Sequence, residues 1–366
     1  MRGYIIFTLL IVLVMSGCVI KEKGQKVENI ILTYADYNVD RFDSIFVYEG
    51  ELKLGYPKGE ERSLFFLNEI CFLEGTYFVV SEDRKKIIRF DSVGKFLGFI
   101  GRGGKGPGEF NKILNFSVDA GKNIIVIDLA SFKLLIFKYP DYNQYDEIRV
   151  GTAVIGAVRN HAGRLVIYSL YTDSLLGEIS PDGVVVKSFL SPKDKNLKLF
   201  TARTISGCLW LDGGGNLYFA DPISCNIFVY DSSLNLIRRY VPGKSLKEYF
   251  GCPPGKFPRN LSPYDVTKEH VKFWQSFSHP HSAIFVNDSL FVIQYYKDKD
   301  GIGRMDEFYF NLVSTSGRVI GAGLRAPHNG VLLFPGDGVV LEAVPGELKG
   351  TSLTEARIFR YRLRKK

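Results

Sequence analysis

Two segments of the 366-residue chain contain residue types from which a ligand or metal site could be built. In the glycine-rich segment 101–110, Arg102, Lys105 and Glu109 offer two cations and a carboxylate that could face a ligand. In His279-Pro280-His281, two histidines lie at i and i+2. On an extended chain such side chains point the same way, as metal ligands can. These five side chains are the candidate ligand-binding residues.

The glycine-rich segment does not have the context of a nucleotide-binding loop. Residues 101–106 satisfy the pattern GxGxxG, but a dinucleotide fingerprint must open a helix, and here Pro107 and Gly108 follow. A Walker A loop needs Ser or Thr where Gly106 stands. The glycines therefore predict a connector between two structural units.

The elements around these segments are short strands that recur along the chain. The 20 Tyr and 28 Phe residues, beside many Val and Ile, favour strands. Six apolar runs, nearly all preceded by a turn signal, are each followed by a further strand-like run. The last residues of the six runs are Ser81, Asp128, Ser169, Asp221, Gln294 and Ala343. Repeats of about 40 to 50 residues are typical of propeller blades. The sequence thus predicts an all-β fold, a six-bladed β-propeller of four-stranded antiparallel blades.

One interval between repeats is longer and predicts an insertion at about residues 244–280, between blades four and five. Within it, residues 262–277 begin with Ser-Pro and carry apolar side chains near helical spacing. We expect a short helix over one face of the ring, with Trp274 and Phe277 as anchors on the blades. The glycine-rich connector would then run from the rim of blade one to the inner strand of blade two. His279 and His281 would lie near the axis.

The N-terminus has the pattern of an exported lipoprotein. Arg2 precedes an apolar stretch at residues 4–15 that is too short to span a bilayer. Met15-Ser16-Gly17-Cys18 resembles the bacterial lipobox, whose cysteine is acylated. We expect a signal peptide at residues 1–17, a tether at 18–29 and the propeller at 30–366. The alternative is an ordinary signal peptide with a chance cysteine at position 18.

The remaining cysteines and the charge give weaker information. Cys71, Cys208, Cys225 and Cys252 follow Cys18, and no CxxC occurs. An exported protein permits disulfides, and four cysteines allow three pairings, so bridges and buried free thiols both stay open.

The formal net charge of +8 is spread along the sequence, and the only dense basic run is terminal, at residues 360–366. We therefore expect no nucleic-acid partner.

The end of the chain predicts how the ring closes. The sixth repeat supplies three strands, at residues 331–334, 339–343 and 357–363, and the chain stops three residues later. A three-stranded blade would leave an open edge. Residues 44–48 have no partner within their own repeat, so we expect them to pair antiparallel with residues 357–363 as the outer strand of blade six.

The lipobox, the tether, the strand at residues 43–50 and the repeat at residues 87–128 together resemble the six-bladed β-propeller lipoproteins of Bacteroidetes-type bacteria, which are similar in repeat style to NHL propellers. The resemblance covers about residues 30–366. It implies the fold and an envelope location, with the lipid in the outer membrane and the periplasmic or surface side left open. It implies little about activity, because propellers host many functions.

We expect a binding or scaffolding module without a cofactor. Its partner would be a glycan, a peptide or an envelope protein, held at the axial face by loops between blades. The alternative is a hydrolase or lyase with a Ca²⁺ or Zn²⁺ ion in the channel. Glu69, Asn115, Ser206 and His281 fall near the inner strands where such an ion would bind. Ligand identity stays open.

Overall fold

The computed structural model describes residues 27–36, 39–55, 70–81, 83–169, 173–191, 208–254, 268–297, 307–336, 339–344, 348–349, 352–353 and 356–364. Within these ranges the chain forms six four-stranded antiparallel blades. The predicted fold class is therefore confirmed.

Each blade has an inner, a second, a third and an outer strand, and we number the blades in chain order. Blade one comprises Ile70–Leu73, Thr76–Val80, Ile87–Asp91 and Phe96–Ile100, and blade two comprises Ile113–Val118, Ile124–Asp128, Lys133–Phe137 and Tyr145–Arg149. Blade three comprises Gly156–Arg159, Leu165–Tyr168, Leu176–Ile179 and Val185–Phe189, and blade four comprises Cys208–Leu211, Leu217–Ala220, Ile227–Tyr230 and Leu236–Pro242. Blade five comprises His279–Asn287, Leu290–Lys297, Glu307–Ser314 and Arg318–Leu324, and blade six comprises Val331–Gly336, Val339–Val344, Arg357–Leu363 and Phe46–Lys53.

Five short elements and two strand pairs complete the described secondary structure. The helices are Lys268–Gln275 and the 3₁₀ turns Phe42–Ser44, Leu129–Ser131 and Lys244–Leu246. One further strand, Glu28–Tyr34, precedes the blades. The two-residue strands pair as Arg102–Gly103 with Glu109–Phe110, and as Leu348–Lys349 with Ser352–Leu353.

The hydrophobic core lies between the blades. Every residue of the second strand Ile124–Asp128 is buried, because this strand contacts blade one through one face and blade three through the other. A continuous apolar run, here residues 124–127, is expected where both faces of a sheet are covered. Among the described residues, six apolar clusters fill the six interfaces, including the one between blades six and one. The blades therefore form a closed ring.

The predicted closure of the ring is confirmed, although the strand begins two residues later than the predicted 44–48, because Ser44 belongs to a 3₁₀ turn, and it continues to Lys53. Phe46–Lys53 pairs antiparallel with Arg357–Leu363, with Phe46 opposite Leu363 and Lys53 opposite Arg357. A bulge between Tyr48 and Gly50 accommodates the extra residue. The N-terminal segment thus supplies the outer strand of blade six.

The strand Glu28–Tyr34 was not predicted from the sequence. It pairs in parallel with the outer strand of blade four at residues 28–32 and with the outer strand of blade five at Thr33 and Tyr34. Blades four and five consequently belong to one nine-stranded sheet. The first two residues of the strand Glu28–Tyr34 fall within the tether predicted at residues 18–29.

The insertion between blades four and five lies against the ring. Its helix Lys268–Gln275 buries Trp274, and the following Phe277 is also buried. Both side chains join the apolar cluster between blades three and four, as predicted for anchors. A disulfide joins Cys252 of the insertion to Cys225, which follows the second strand of blade four. The bridge leaves Cys71 and Cys208 as free thiols.

The ring has two faces that the strand directions define. We call the side on which outer strands cross to the next inner strand, and on which second strands turn into third strands, the connector face. The opposite side, with the tight turns around Gly75, Gly94 and Gly183, is the turn face. Inner strands begin at the connector face. Because Glu28–Tyr34 is parallel to outer strands, it begins at the turn face.

Candidate functional site

A cavity of about 200 Å³ lies on the axis of the ring. Residues from the inner strands of all six blades line this axial cavity. Most of them come from the first residues of their strands, such as Gly156, Cys208 and Val331 with their neighbours. The axial cavity is therefore nearer to the connector face.

Backbone groups are the main hydrogen-bonding groups at the axial cavity. Each inner strand is the terminal strand of its sheet. An edge strand presents backbone N–H and C=O groups that its own sheet does not use. Six such edges converge on the axis, so a ligand there would meet donors and acceptors on every side.

Four lining side chains add polar atoms. His281 packs edge-on against Tyr296 and lies 5.4 Å from the ring centroid of Phe308. Asn115, Ser117 and Ser282 are the others.

Ser117 joins two blades directly, and Ser282 contacts a residue of its own blade that bonds to the next connector. Ser117 Oγ donates to the Ala157 carbonyl at 2.5 Å, linking blades two and three. Ser282 Oγ donates to Gln294 Oε1, at 3.4 Å. The buried Gln294 amide in turn donates to the Gly330 carbonyl of the next connector, at 2.9 Å.

The ends of the second strands hold the connectors in place. In blade two, the buried Asp128 carboxylate accepts hydrogen bonds from the backbone N–H groups of Asn111 and Lys112. In blade six, the buried Glu342 accepts from His328 N and Gly330 N, at 2.8 and 3.0 Å. Such bonds satisfy buried carboxylates. They fix where each inner strand begins.

Glu342 also fixes two side chains at this end of blade six. Its Oε2 lies 3.0 Å from His328 Nδ1 and accepts a hydrogen bond from Tyr361 Oη at 3.0 Å. Burial, reinforced by the Glu342 charge, raises the pKa of Tyr361. The phenol is therefore a hydrogen-bond donor at neutral pH.

Glu109, which was predicted to bind a ligand, forms hydrogen bonds within the glycine-rich connector. Glu109 Oε2 accepts from Gly106 N and its Oε1 from Arg102 Nε, each at 2.9 Å. The Gly106 N–H and then the Arg102 guanidinium lower the pKa of Glu109.

Gly101 has φ +69°, and a Cβ there would lie 2.1 Å from the Phe110 ring. Glycine is required at that position.

The connector lies over blade two, as predicted for a crossing from the rim of blade one. Lys133 Nζ donates to the Gly106 carbonyl, and Gly108 N donates to Glu147 Oε2. Lys133 and Glu147 belong to the third and outer strands of blade two. Arg102, Lys105 and Glu109 are not among the residues that line the axial cavity.

The two histidines of the predicted pair have different surroundings. His281 lines the axial cavity, whereas the ring of His279 is fully buried. His279 stacks on Trp274 with 3.3 Å between ring centroids, and its Nε2 lies 3.2 Å from the Trp274 carbonyl. Burial lowers the pKa of His279 to about 3. A bulge between Pro280 and Ser282 interrupts the strand alternation on which the pairing of the two side chains rested.

Several predicted positions lie outside the described residues. These are Cys18, Glu69 and Ser206. Within the described part of the chain, no three His, Cys, Asp or Glu side chains are grouped closely enough to hold a metal ion. In the same part, none of the helices has the length and apolarity needed to cross a membrane.

Two features of the connector face were not predicted from the sequence. Ser117 and Ser282 line the axial cavity, but isolated serines carry no recognisable spacing. The basic residues Arg84 and Lys85 flank the connector, and the run of charges at residues 83–86 was an available signal.

Comparison with known proteins supports the architecture. Residues 60–175 match the family model DUF5128, described as a 6-bladed beta-propeller. No curated protein matches the sequence.

Solved structures extend the similarity over most of the chain. The crystal structure of a "Putative exported protein (BF0058)" from Bacteroides fragilis NCTC 9343 is 15% identical, with a TM-score of 0.61, and covers 93% of this chain and 100% of its own. A DUF4221 family member from Bacteroides vulgatus ATCC 8482 is 8% identical, with a TM-score of 0.57, and covers 88% of this chain and 98% of its own. At these identities the likeness shows the fold, and with the six described blades it establishes that the chain is a six-bladed β-propeller.

Proposed function

We propose that this protein is a lipid-anchored envelope propeller that binds a glycan, a peptide or an envelope protein at its connector face, with the axial cavity as the centre of the site. The observation that carries the proposal is the cavity of about 200 Å³ to which all six inner strands contribute. Concave sites with a few polar groups on a rigid frame are the usual ligand sites of proteins. The edge strands supply backbone N–H and C=O groups, and His281 and Asn115 supply polar side chains that can form hydrogen bonds with a ligand.

An envelope location is supported by the sequence and by one similarity. The lipobox-like residues 15–18 follow an apolar segment of signal-peptide length. The Bacteroides fragilis protein of similar fold carries the name of an exported protein.

Cys18→Ser tests the anchor. Because acylation requires the thiol, we expect the variant to lose lipid labelling and to leave the membrane fraction while keeping its melting temperature. Cys71→Ser is the matched control and should stay in the membrane fraction. Unchanged fractionation and labelling of the Cys18 variant would refute lipidation.

Substitution in the axial cavity tests the binding site. We expect Asn115→Ala with His281→Ala to weaken ligand binding about tenfold or more, because two side-chain hydrogen bonds of roughly 1 kcal/mol each are lost. The measurement is a glycan and peptide array followed by titration calorimetry on the best ligand. His161→Ala is the matched control, since His161 is exposed on the turn face. Equal losses in both variants would place the site elsewhere.

Metal analysis of the same purified protein addresses the enzymatic alternative. A binding module should contain no stoichiometric divalent metal, and a chelator should not change its melting temperature. A tightly held Ca²⁺ or Zn²⁺ lost together with stability would favour a metal-dependent hydrolase or lyase.

A further inference from the structure

Six basic residues are gathered on the connector face of blades one and two. Each belongs to a loop or strand end at that face: the loop after the second strand of blade one, the glycine-rich connector, or the end of the outer strand of blade two. They are Arg84, Lys85, Arg102, Lys105, Lys112 and Arg149. We call this set the basic surface.

Contacts between the loops bring these residues together. Ile113 N donates to the Arg84 carbonyl at 2.7 Å, so the backbone beside Lys112 lies against residues 84 and 85. The aliphatic part of Lys85 lies over Gly103, next to Arg102. Arg84 Nη1 donates to the carbonyls of Ile113 and Leu114, at 3.3 and 3.1 Å. Since Leu114 lines the axial cavity, the basic surface extends from the rim to the cavity.

Among the described carboxylates beside the basic surface, Asp83 is exposed and accepts hydrogen bonds from Ser81 Oγ and Lys85 N, whereas Glu109 and Glu147 face inward. Glu109 and Glu147 accept backbone hydrogen bonds from Gly106 and Gly108, and both side chains are about four-fifths buried. Their partners Arg102 and Arg149 are 80% and 85% exposed. Lys85, Lys105 and Lys112 are exposed, and none forms an ion pair with a carboxylate of the described residues. The excess positive charge therefore faces solvent.

The composition of the basic surface favours a charged polymer over a protein partner. Protein–protein interfaces have an apolar centre and are depleted in Lys. Here lysines and arginines surround a glycine-rich loop instead. An extended polyanion can pair with separated cations on flexible side chains without needing an apolar centre.

The position of the N-terminal strand is relevant to whether membrane lipids could be the anionic ligand of the basic surface. Glu28–Tyr34 begins beside the outer strand of blade four, which lies across the ring from the basic surface on blades one and two. The vesicle measurement described below distinguishes a membrane from a polysaccharide as the source of the anionic groups.

From this geometry we propose that the basic surface binds an anionic polysaccharide, carrying carboxylate or sulfate groups, whose chain runs across the connectors of blades one and two towards the axial cavity. This inference rests on the proposed binding function and names its ligand class. The cations bind the acidic groups of the chain, and the axial cavity receives a terminal or neutral sugar unit.

The test is titration of the full-length Cys18→Ser variant, which lacks the proposed lipid and so needs no detergent, with polygalacturonate and heparin at about 50 mM and about 500 mM NaCl, salt concentrations that differ strongly in screening. Dextran serves as the neutral polysaccharide, and phosphatidylglycerol vesicles as the anionic membrane. We expect salt-sensitive binding of at least one acidic polysaccharide and weaker binding of dextran and of vesicles. Lys85→Gln, Lys105→Gln and Lys112→Gln together should reduce affinity about tenfold or more.

A triple variant on the turn face is the matched control, because it removes the same charge from exposed positions: Lys95→Gln, Lys122→Gln and Arg318→Gln. We expect less than about a twofold change in affinity for it. An equal loss in both triple variants, or equal affinity for vesicles, would overturn the inference. If acidic polysaccharides fail to bind but the cavity variants abolish binding of a neutral ligand, the inference falls and the proposed function stands.

Discussion

At the scale of single residues, His279 and His281 show how one bulge separates two histidines. His279 is enclosed by Trp274, Phe277 and Tyr296, whereas His281 lines the axial cavity. The sequence spacing alone predicted that the two rings would point the same way. A β-bulge depends on the partner strand, so no pattern within residues 279–281 reveals it.

The burial of His279 predicts a loss of stability in acid. Its pKa is about 3 in the folded protein, against about 6.5 for an unfolded histidine. Below pH 6.5 the unfolded state binds a proton that the folded state does not, so stability falls as the pH drops towards 3. Between pH 7 and pH 5 the contribution of this one group is a loss of about 2 kcal/mol.

The prediction can be checked by urea denaturation at several pH values. His279→Phe should remove this part of the pH dependence, and the difference between the two proteins should grow from pH 7 to pH 5. His161→Phe, at an exposed position, is the control and should keep the wild-type profile. A parallel pH dependence of the wild type and the His279 variant would contradict the predicted burial.

At the scale of elements, the repeat was predictable and the insertion only in part. The second strands were evident because burial on both faces requires continuous apolar runs, as at residues 124–127. Helix Lys268–Gln275 was predicted from the spacing of its apolar residues, since Trp274 must reach the core from one side. The pairing of Cys225 with Cys252 was not predictable, because three pairings of four cysteines are equally compatible with the sequence.

The disulfide should stabilise the insertion against the ring. It closes a loop with a sequence separation of 27 residues, for which chain entropy suggests about 3.5 kcal/mol. We expect Cys252→Ser to lower the free energy of unfolding by about this amount. The measurement is chemical denaturation with and without dithiothreitol.

Reductant separates the bridge from other effects of the substitution. The wild type should lose stability in dithiothreitol, and Cys252→Ser should not respond. Cys71→Ala is the control, because Cys71 is a free thiol and this variant should keep the full response to reductant. A wild type whose stability is indifferent to reductant would contradict the prediction.

At the scale of the whole molecule, the N-terminal segment joins three blades. Residues 28–34 bridge the outer strands of blades four and five, beside the insertion, and Phe46–Lys53 completes blade six. The sequence predicted the second contact because the last repeat lacked a strand. It gave no signal for the first, because the parallel strand Glu28–Tyr34 belongs to no repeat.

Between these two strands, Phe42 fills the interface of blades five and six. It is buried, and its ring lies 4.8 Å from those of Phe46 and Tyr361 and 5.8 Å from that of Phe310. We expect Phe42→Ala to lower the free energy of unfolding by about 3 to 4 kcal/mol. Val47→Ala, 43% exposed on the adjoining strand, should cost less than about 0.5 kcal/mol.

Deleting residues 27–50 should therefore destabilise the entire ring and not only its ends. The deletion exposes the edge of Arg357–Leu363 and the outer edges of blades four and five, and it opens the core between blades five and six. In a closed ring each blade depends on both neighbours, so this opening should weaken blades that the segment never touches. Hydrogen exchange of the second strand of blade two, Ile124–Asp128, measures that effect, because the apolar clusters that contain this strand include none of the described residues among 27–50. We expect its protection to fall along with that of blade six. If blade two keeps its full protection while blade six loses it, or if the truncated protein melts like the parent, the blades are independent and closure by the N-terminal segment does not hold the ring together.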